Sequence, residues 1–122
     1  MLPAPNRLRR SADITAVRQH GQRWHTPLAT LYVLANQRES SRFAFVAGRH
    51  VGKAVQRNRV KRLWRSATHH HLNQIASGWD CLLVAKAKAV EADYQQLLAA
   101  ATQLFLRAHL IQPPADQGVA GP

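Results

Sequence analysis

Residues 48–67, GRHVGKAVQRNRVKRLWRSA, decide how this chain folds and which surface it presents. The apolar residues in the second half of this segment fall within one arc when each residue advances by about 100°, as in an α-helix. They are Val60, Leu63, Trp64 and Ala67. The periodicity predicts a long central helix over residues 55–75, with the apolar arc packed into the protein.

The other side of this helix is cationic. Arg57, Lys61 and Arg65 lie one turn apart in a row, and residues 48–67 contain no acidic residue. A solvated helix face usually mixes charges of both signs, whereas stacked like charges lower stability unless a partner neutralises them. Guanidinium groups suit bidentate contact with phosphate, so this side predicts an interface with RNA or DNA. We call the following set the basic face: Arg57, Asn58, Arg59, Lys61, Arg62 and Arg65.

The whole chain shares this positive charge. Its 122 residues include 17 Lys and Arg against 6 Asp and Glu, and the resulting formal net charge of +11 favours binding to a polyanion. With 46% hydrophobic residues, the chain has enough apolar material for one modest core. We expect a single domain over residues 1–110 and a disordered tail, rich in Pro and Gly, over residues 111–122.

No segment of the sequence is typical of a membrane or secreted protein. The apolar runs are shorter than the roughly 20 residues that span a bilayer, and the basic N-terminus has no apolar stretch behind it. We therefore expect a cytoplasmic protein. The single cysteine, Cys81, can form neither an internal disulfide nor a multi-cysteine zinc site, and its apolar neighbours predict a buried thiol.

Shorter elements precede the central helix. Ser11 is expected to cap a first helix that carries Asp13 in its first turn, where the helix dipole favours negative charge. Strand-forming residues follow over residues 22–35, where Pro27 divides them, and again over residues 42–47. The short connection between the last two strands favours an antiparallel hairpin.

Two further elements follow the central helix. Residues 79–85 form a near-continuous apolar run, short enough for a buried strand. Residues 93–110 have the apolar spacing of an amphipathic helix. The predicted order is therefore α-β-β-β-α-β-α, an α+β fold in which helices cover a small sheet.

Residues 51–63, VGKAVQRNRVKRL, resemble the signature of the bacterial ribonuclease P protein family, which has an Arg-Asn-Arg core within a longer pattern that ends in Lys-Arg. The core falls at residues 57–59 and the closing pair at residues 61 and 62. The resemblance extends over residues 7–106. Three further segments are similar to the family: NRLRRS at 6–11, LYVL at 31–34 and GWDCLLVAK at 78–86.

This resemblance implies a two-layer α/β sandwich with a small, mainly antiparallel sheet and a left-handed βαβ crossover around the central helix. It also implies a ribonucleoprotein in which the RNA subunit, which requires Mg²⁺, removes the 5′ leader from precursor tRNA. The protein would bind the leader, and its basic face would lie against the catalytic RNA. No protein residue would be catalytic, no protein partner would be required, and the protein alone would be inactive.

The resemblance further implies a leader-binding cleft between the first helix and the sheet. Ile14 and Arg18 stand where family members often have aromatic residues, which implies apolar and phosphate contacts there. Residues 48–50 read Gly-Arg-His where the family usually has Ser-Lys-Lys, and Lys86 stands where Arg is common. Tyr32 either stacks a leader base or packs in the core. The implied leader-binding set is Ile14, Arg18, Tyr32, Arg49, His50, Lys53 and Lys86.

Other chemistry is less well supported by the sequence. Residues 69–71 are consecutive histidines that point in different directions on a helix, with no Cys, Asp or Glu nearby to complete a metal site. Gly52 and Lys53 lack the remaining residues of a phosphate-binding loop. The six acidic residues are scattered, so we expect no nuclease site, and Asp93 is better explained as a helix cap.

Two other functions are compatible with the charge and size of the chain. One is a structural RNA-binding protein of the ribosome. The other is a DNA-binding module, although a helix anchored in a sheet enters a major groove with difficulty. The complete pattern over residues 51–63 distinguishes the ribonuclease P reading from both.

Overall fold

The computed structural model describes residues 2–113, so most of the predicted tail lies outside the described residues. The element order α-β-β-β-α-β-α is confirmed, as is the division of the first strand segment at Pro27. The helices are α1 (Ser11–His20), α2 (Ala54–His71) and α3 (Tyr94–Arg107). The strands are β1 (Gln22–His25), β2 (Ala29–Ala35), β3 (Arg42–Val46) and β4 (Trp79–Ala85). Short 3₁₀ turns occupy Ala4–Asn6, Arg49–Val51, Leu72–Gln74 and Ala87–Glu91.

The strands form one mainly antiparallel sheet in the order β1-β2-β4-β3. β2 is antiparallel to both β1 and β4, whereas β3 runs parallel to β4. The predicted antiparallel hairpin between the strands of residues 22–35 and 42–47 is therefore wrong, because β4 lies between β2 and β3. β4 is apolar and buried along most of its length, which suits a central strand paired at both edges. β3, α2 and β4 together form a βαβ crossover.

One face of the sheet, which we call the covered face, is packed under α2 and α3. Strand side chains alternate between faces, and Leu31, Phe43 and Leu83 meet Trp64 of α2 and Phe105 of α3 here, all at most 4% exposed. The predicted apolar arc of the central helix is confirmed, with three members fully buried and the fourth half-buried. This face contains the main hydrophobic core.

The opposite face is called the open face, and of the elements in residues 2–113 only α1 and the segment before it cover it. Its cluster of buried residues is small and comprises Leu8, Val17, Ala44 and Leu82. Strand residues beside this cluster are only half-buried, and they include Tyr32, Val46 and Val84. The open face therefore keeps part of its strand surface accessible.

The helix caps differ from the prediction at one end of the chain. Ser11 is the first residue of α1 and makes no capping hydrogen bond, because Arg10 occupies the cap position. Asp13 does lie in the first turn of α1, as predicted. At α3 the prediction is confirmed: the Asp93 side chain accepts a hydrogen bond from the Gln96 N–H at 2.8 Å, and the Gln96 side chain accepts one from the Asp93 N–H.

The N-terminal segment lies along the outer edge of β3. Arg7 forms a parallel bridge with Phe43, and the Leu8 N–H donates to the Phe43 carbonyl at 2.9 Å. The Arg7 Nε donates to the Leu2 carbonyl at 2.7 Å, and the Leu2 side chain is buried in the main core. Residues 2–8 are thus an integral part of the folded domain.

Candidate nucleic-acid interface

The basic face lies on the outer side of α2, opposite the apolar arc. Its members differ in exposure because a helix that packs on a sheet buries the residues at the flanks of its outer side. The exposed members are Asn58, Arg62 and Arg65, and the half-buried members are Arg57, Arg59 and Lys61. The interface is therefore a central exposed strip with less accessible cations on both sides.

Among the residues that the structure describes, no carboxylate forms an ion pair with either flank of the basic face. Within residues 2–113, both ion pairs involve Arg42, which is not on α2. Arg59 donates from Nη2 to the Ala92 carbonyl at 3.2 Å, which holds its guanidinium against the turn before α3. The Nε of Arg57 is buried and has no hydrogen-bond partner in the described part of the chain. An anion at this surface would supply the missing acceptors.

A groove of about 430 Å³ runs between α1 and β3 on the open face. Its floor includes Ala44 and Val46, and Ile14 lines its α1 side. Cations line its rim, namely Arg7, Arg9 and Arg65. Arg65 therefore connects the basic face with this groove. A groove with an apolar floor and a cationic rim suits single-stranded nucleic acid, whose bases and phosphates need these two environments.

A second hollow, of about 500 Å³, lies where the C-terminal end of α1 meets β1. We call it the β1 hollow. Arg18, Arg23, Trp24 and Tyr32 line it. Tyr32 is half-buried: it packs against the small cluster of the open face and keeps part of its surface accessible, and the stacking of a leader base on it stays a prediction.

The remaining predicted leader-binding residues lie together beyond the C-terminal ends of β3 and β4. These two strands are parallel and adjacent, so Arg49 and His50, which follow β3, lie near Lys86, which follows β4. The 3₁₀ turn that contains Arg49 and His50 contacts the 3₁₀ turn after Lys86. Arg49, His50 and Lys53 are exposed, and Lys86 is half-buried. We call these four residues the edge cluster.

Gly52 fixes the link between the edge cluster and α2. Its φ of 152° is in the region that favours glycine, and an added Cβ would meet the Gln56 side chain. That side chain accepts a hydrogen bond from the Lys53 N–H at 2.8 Å and so completes the first turn of α2. Lys53 is consequently held at the start of the basic face.

The predicted leader-binding residues thus lie in three places, although Ile14 and Arg18 also share a hollow on α1. Ile14 lines the groove, Arg18 and Tyr32 line the β1 hollow, and the other four form the edge cluster. Leu82, the residue paired with Tyr32, lies four residues before Lys86, which corresponds to roughly 13 Å along the strand. A ligand that contacts all three places must follow the sheet surface.

A charged cluster lies beneath α1 and was not predicted from the sequence. Arg42 donates to both oxygens of Asp80, at 2.8 and 2.7 Å, and Asn36 donates to the same carboxylate at 2.8 Å. Asp13 of α1 lies 3.5 Å from Arg42. The hydrogen bond to Asp80 raises the pKa of Arg42, against the opposing effect of burial. Asp80 stands in a strand of otherwise apolar character, and this was the signal that could have revealed the cluster.

Two residues to which the sequence assigned no binding role, His71 and Cys81, are buried in the protein. His71 packs between α2 and α3, where its Nε2 lies 2.6 Å from the Thr102 hydroxyl, and burial lowers its pKa. Cys81 is buried as predicted, and burial raises the pKa of its thiol. Among residues 2–113, no group of three His, Cys, Asp or Glu side chains is placed to hold a metal ion. None of the helices in this range has the length and apolar character of a membrane span.

Known proteins match this chain in both sequence and fold. A family model described as ribonuclease P matches residues 2–109. The chain belongs to the ribonuclease P protein family. It is 37% identical to the ribonuclease P protein component of Chloroflexus aggregans over 94% of this chain and 86% of that protein. It is 38% identical to that of a Cyanothece species over 91% of this chain and 98% of that protein.

Solved structures have the same fold as this chain. The ribonuclease P protein of Staphylococcus aureus superposes with a TM-score of 0.81 at 20% identity, covering 88% of this chain and 98% of that one. The protein from Thermotoga maritima gives a TM-score of 0.76 at 25% identity, covering 83% and 96%. The fold class predicted from the sequence is therefore confirmed. The protein is a ribonuclease P subunit that acts in tRNA processing, and its family implies an RNA subunit as partner.

Proposed function

We propose that the basic face binds the catalytic RNA of ribonuclease P while the open face binds the single-stranded 5′ leader of precursor tRNA. The RNA subunit, with the Mg²⁺ it requires, carries out the cleavage, and the protein alone is inactive. The observation that carries this proposal is the presence of two cationic surfaces of different chemistry, which meet at Arg65. One is the basic face of α2, and the other is the set of hollows around α1.

The two surfaces have different chemistry. The basic face presents guanidinium and ammonium groups on a helix that Trp64 and Val60 anchor in the core. Cations held in fixed positions suit the fixed phosphates of a folded RNA. The open face combines cations with half-buried apolar and aromatic side chains, such as Val46 and Tyr32. That combination suits unstacked bases and a flexible backbone.

A reconstitution assay tests the proposal. Precursor tRNA is incubated with the protein alone, with the cognate catalytic RNA alone, and with both. We expect no cleavage by the protein alone, and we expect the protein to lower the Mg²⁺ concentration that the RNA requires. It should also tighten binding of precursor tRNA but not of mature tRNA, which lacks the leader. Metal-dependent cleavage by the RNA-free protein would contradict the proposal.

A variant separates the basic face from the open face. Arg59→Ala combined with Arg62→Ala removes two cations of the basic face, so affinity for the catalytic RNA should fall. The slope of log affinity against log salt should become shallower by about one to two units, because fewer counterions are released. Arg38→Ala, which alters an exposed arginine in the β2–β3 connection, serves as the control. An unchanged slope for the double variant would show that these side chains do not touch phosphate.

A further inference from the structure

We propose that the ion pair between Asp13 and Arg42 fixes the rotation of α1 on the open face, and that Asp13 is thereby a positioning residue for leader binding. We call this ion pair the α1 latch. The inference rests on the proposed function, because it takes the leader as the ligand of the surface that α1 borders. It concerns how that surface is held in shape. Asp13 itself makes no contact with the leader, since a carboxylate repels phosphate.

Arg42 is the fixed half of the α1 latch. Its Nε and Nη2 donate to the two oxygens of Asp80 at 2.8 and 2.7 Å, and the Asn36 side chain donates to the same carboxylate at 2.8 Å. Both side chains of the Arg42–Asp80 pair are largely buried, so separating them would leave a poorly solvated charge without its partner. The Arg42 guanidinium therefore keeps one orientation beneath α1.

Asp13 is the movable half of the α1 latch. Its carboxylate lies 3.5 Å from Nη2 of Arg42, and its side chain is partly exposed. Among residues 2–113, this is the only ion pair that joins α1 to the sheet. A single, partly solvated ion pair contributes little to the stability of a domain. It can still select one arrangement of a short helix whose buried residue, Val17, makes only apolar contacts.

The helical repeat explains why this ion pair controls the direction of other side chains. Asp13 and Val17 are four residues apart and lie on one side of α1, where Val17 is fully buried against the sheet. Ile14 and Arg18 form the adjacent row, about 100° further around the helix, and both line one hollow. Apolar burial has no preferred direction, so Val17 alone would permit α1 to turn about its axis. The Asp13 contact removes that freedom and so fixes where Ile14 and Arg18 point.

The two ends of α1 are held by different means. At the C-terminal end, a Cβ on Gly21 would lie 2.5 Å from the Val17 carbonyl oxygen and 2.9 Å from that of Val33, so backbone packing fixes the helix there. At the N-terminal end, the Leu8 N–H holds the chain to β3 before the helix begins. Asp13 lies in the first turn, between these two anchors. Loss of the α1 latch should therefore free the first turns of α1 more than the last.

The sign of the expected effect separates a positioning role from a purely electrostatic one. Asp13→Asn removes one negative charge from the open face, and Coulomb attraction alone then predicts tighter binding of the leader phosphates. The α1 latch predicts weaker binding, because α1 no longer holds Ile14 and Arg18 in one arrangement. Glu39→Gln removes the same charge from an exposed residue in the β2–β3 connection, and it is therefore the matched control.

Binding of precursor tRNA and of mature tRNA to the reconstituted ribonucleoprotein tests this inference. We expect Asp13→Asn to weaken binding of precursor tRNA by about threefold to fivefold relative to Glu39→Gln, the range open to one partly exposed ion pair. Mature tRNA, which lacks the leader, should bind equally to both variants. Asp13→Glu keeps the carboxylate and should recover most of the lost affinity.

Hydrogen exchange of the α1 backbone amides in the free protein gives a readout that involves no RNA. Asp13→Asn should speed exchange in the first turns of α1, because local opening becomes easier. High salt should speed it in the wild type but not in Asp13→Asn, since salt screens an ion pair that the variant lacks. Exchange in α3 should stay as in the wild type, which shows that the variant is folded.

Three outcomes would overturn the inference. If Asp13→Asn binds precursor tRNA as tightly as Glu39→Gln does, or more tightly, Asp13 does not position the leader surface. If exchange in α1 is the same in Asp13→Asn and the wild type, the ion pair does not hold the helix. If the wild-type ribonucleoprotein binds precursor and mature tRNA equally, the proposed function fails. The role in leader binding then fails with it, even where exchange shows that Asp13 holds α1.

Discussion

The two faces of the sheet are built for different purposes. The covered face is packed by two helices, and its large aromatic residues, Trp64 and Phe105, are at most 1% exposed. Within the described residues, the open face is covered by one short helix and has a small cluster of four buried apolar residues, which a charged cluster accompanies. Tyr32, Val46 and Val84 lie on strands of the same sheet and remain half-buried. One sheet thus provides stability on one side and an accessible surface on the other.

This comparison shows how a small domain accommodates binding without losing its core. Apolar burial stabilises by roughly 25 cal/mol per Å², so a face that leaves strand residues accessible gives up part of that energy. Here the covered face supplies most of the burial, and α1 is attached to the open face by a few specific contacts. We therefore expect substitutions on the covered face to lower the stability of the whole domain, and substitutions on the open face to have a smaller effect that is confined to their surroundings.

The largest difference is expected for Phe105→Ala on the covered face. Phe105 is 1% exposed, and its ring centroid is 6.3 Å from that of Phe43. The cavity left by the substitution should lower the free energy of unfolding by about 3–5 kcal/mol. Ile14→Ala on the open face, where the side chain is half-buried, should cost only about 1 kcal/mol. Urea denaturation measures both, and similar costs would contradict the distinction between the faces.

The charged cluster of the open face gives a second, smaller contrast. Asp80→Asn breaks the bidentate contact with Arg42, whose side chain is 14% exposed, and should cost about 2–3 kcal/mol because a poorly solvated cation loses its partner. Asp13→Asn should cost less than about 1 kcal/mol, because Asp13 is 34% exposed and only one contact at 3.5 Å is lost. Equal losses in thermal or urea denaturation would show that Arg42 is held by Asp13 as strongly as by Asp80.

The smallest effect is expected at His71, between α2 and α3. Burial lowers its pKa in the folded state below the ordinary value of 6.5, so the unfolded chain binds the proton more readily. The contribution of His71 to the free energy of unfolding is therefore fully present above pH 6.5, and it decreases as the pH falls below that value. The neighbouring His70 ring, 4.9 Å away, opposes protonation further. This contribution is a property of the covered face alone.

The pH effect can be measured from urea midpoints between about pH 7 and about pH 5. His71→Gln should reduce the fall in the urea midpoint on acidification. His69→Gln, which changes an exposed residue on the same helical turn, should leave that fall as it is in the wild type. If both variants retain the wild-type slope, His71 is not the residue responsible.

Periodicity predicted most of the fold because each element has a strong local pattern. The apolar arc of α2, the apolar run of β4 and the cap at Asp93 all have short-range physical causes, and all three are confirmed. The strand order was predicted incorrectly at one point. Pairing between β3 and β4 is a long-range contact, and nothing local to residues 36–41 shows that a strand from residue 79 onward will lie between β2 and β3.

The candidate site was predictable only where a motif identified it. The motif located the basic face, but it did not show that Arg57 and Arg59 are half-buried at the flanks, since exposure depends on the neighbouring elements. Arg42 was missed for the same reason. Its ion pair depends on a partner distant in sequence, Asp80, which the register of the sheet brings beside it.

The segment along the outer edge of β3 has a practical consequence. Residues 2–8 cover the backbone of a strand that would otherwise present open N–H and C=O groups, and Leu2 fills a place in the core. Truncating or displacing this segment would leave a bare strand on which a second molecule can pair, the usual starting point of aggregation. Purification tags and fluorescent labels are therefore best kept away from residues 2–8.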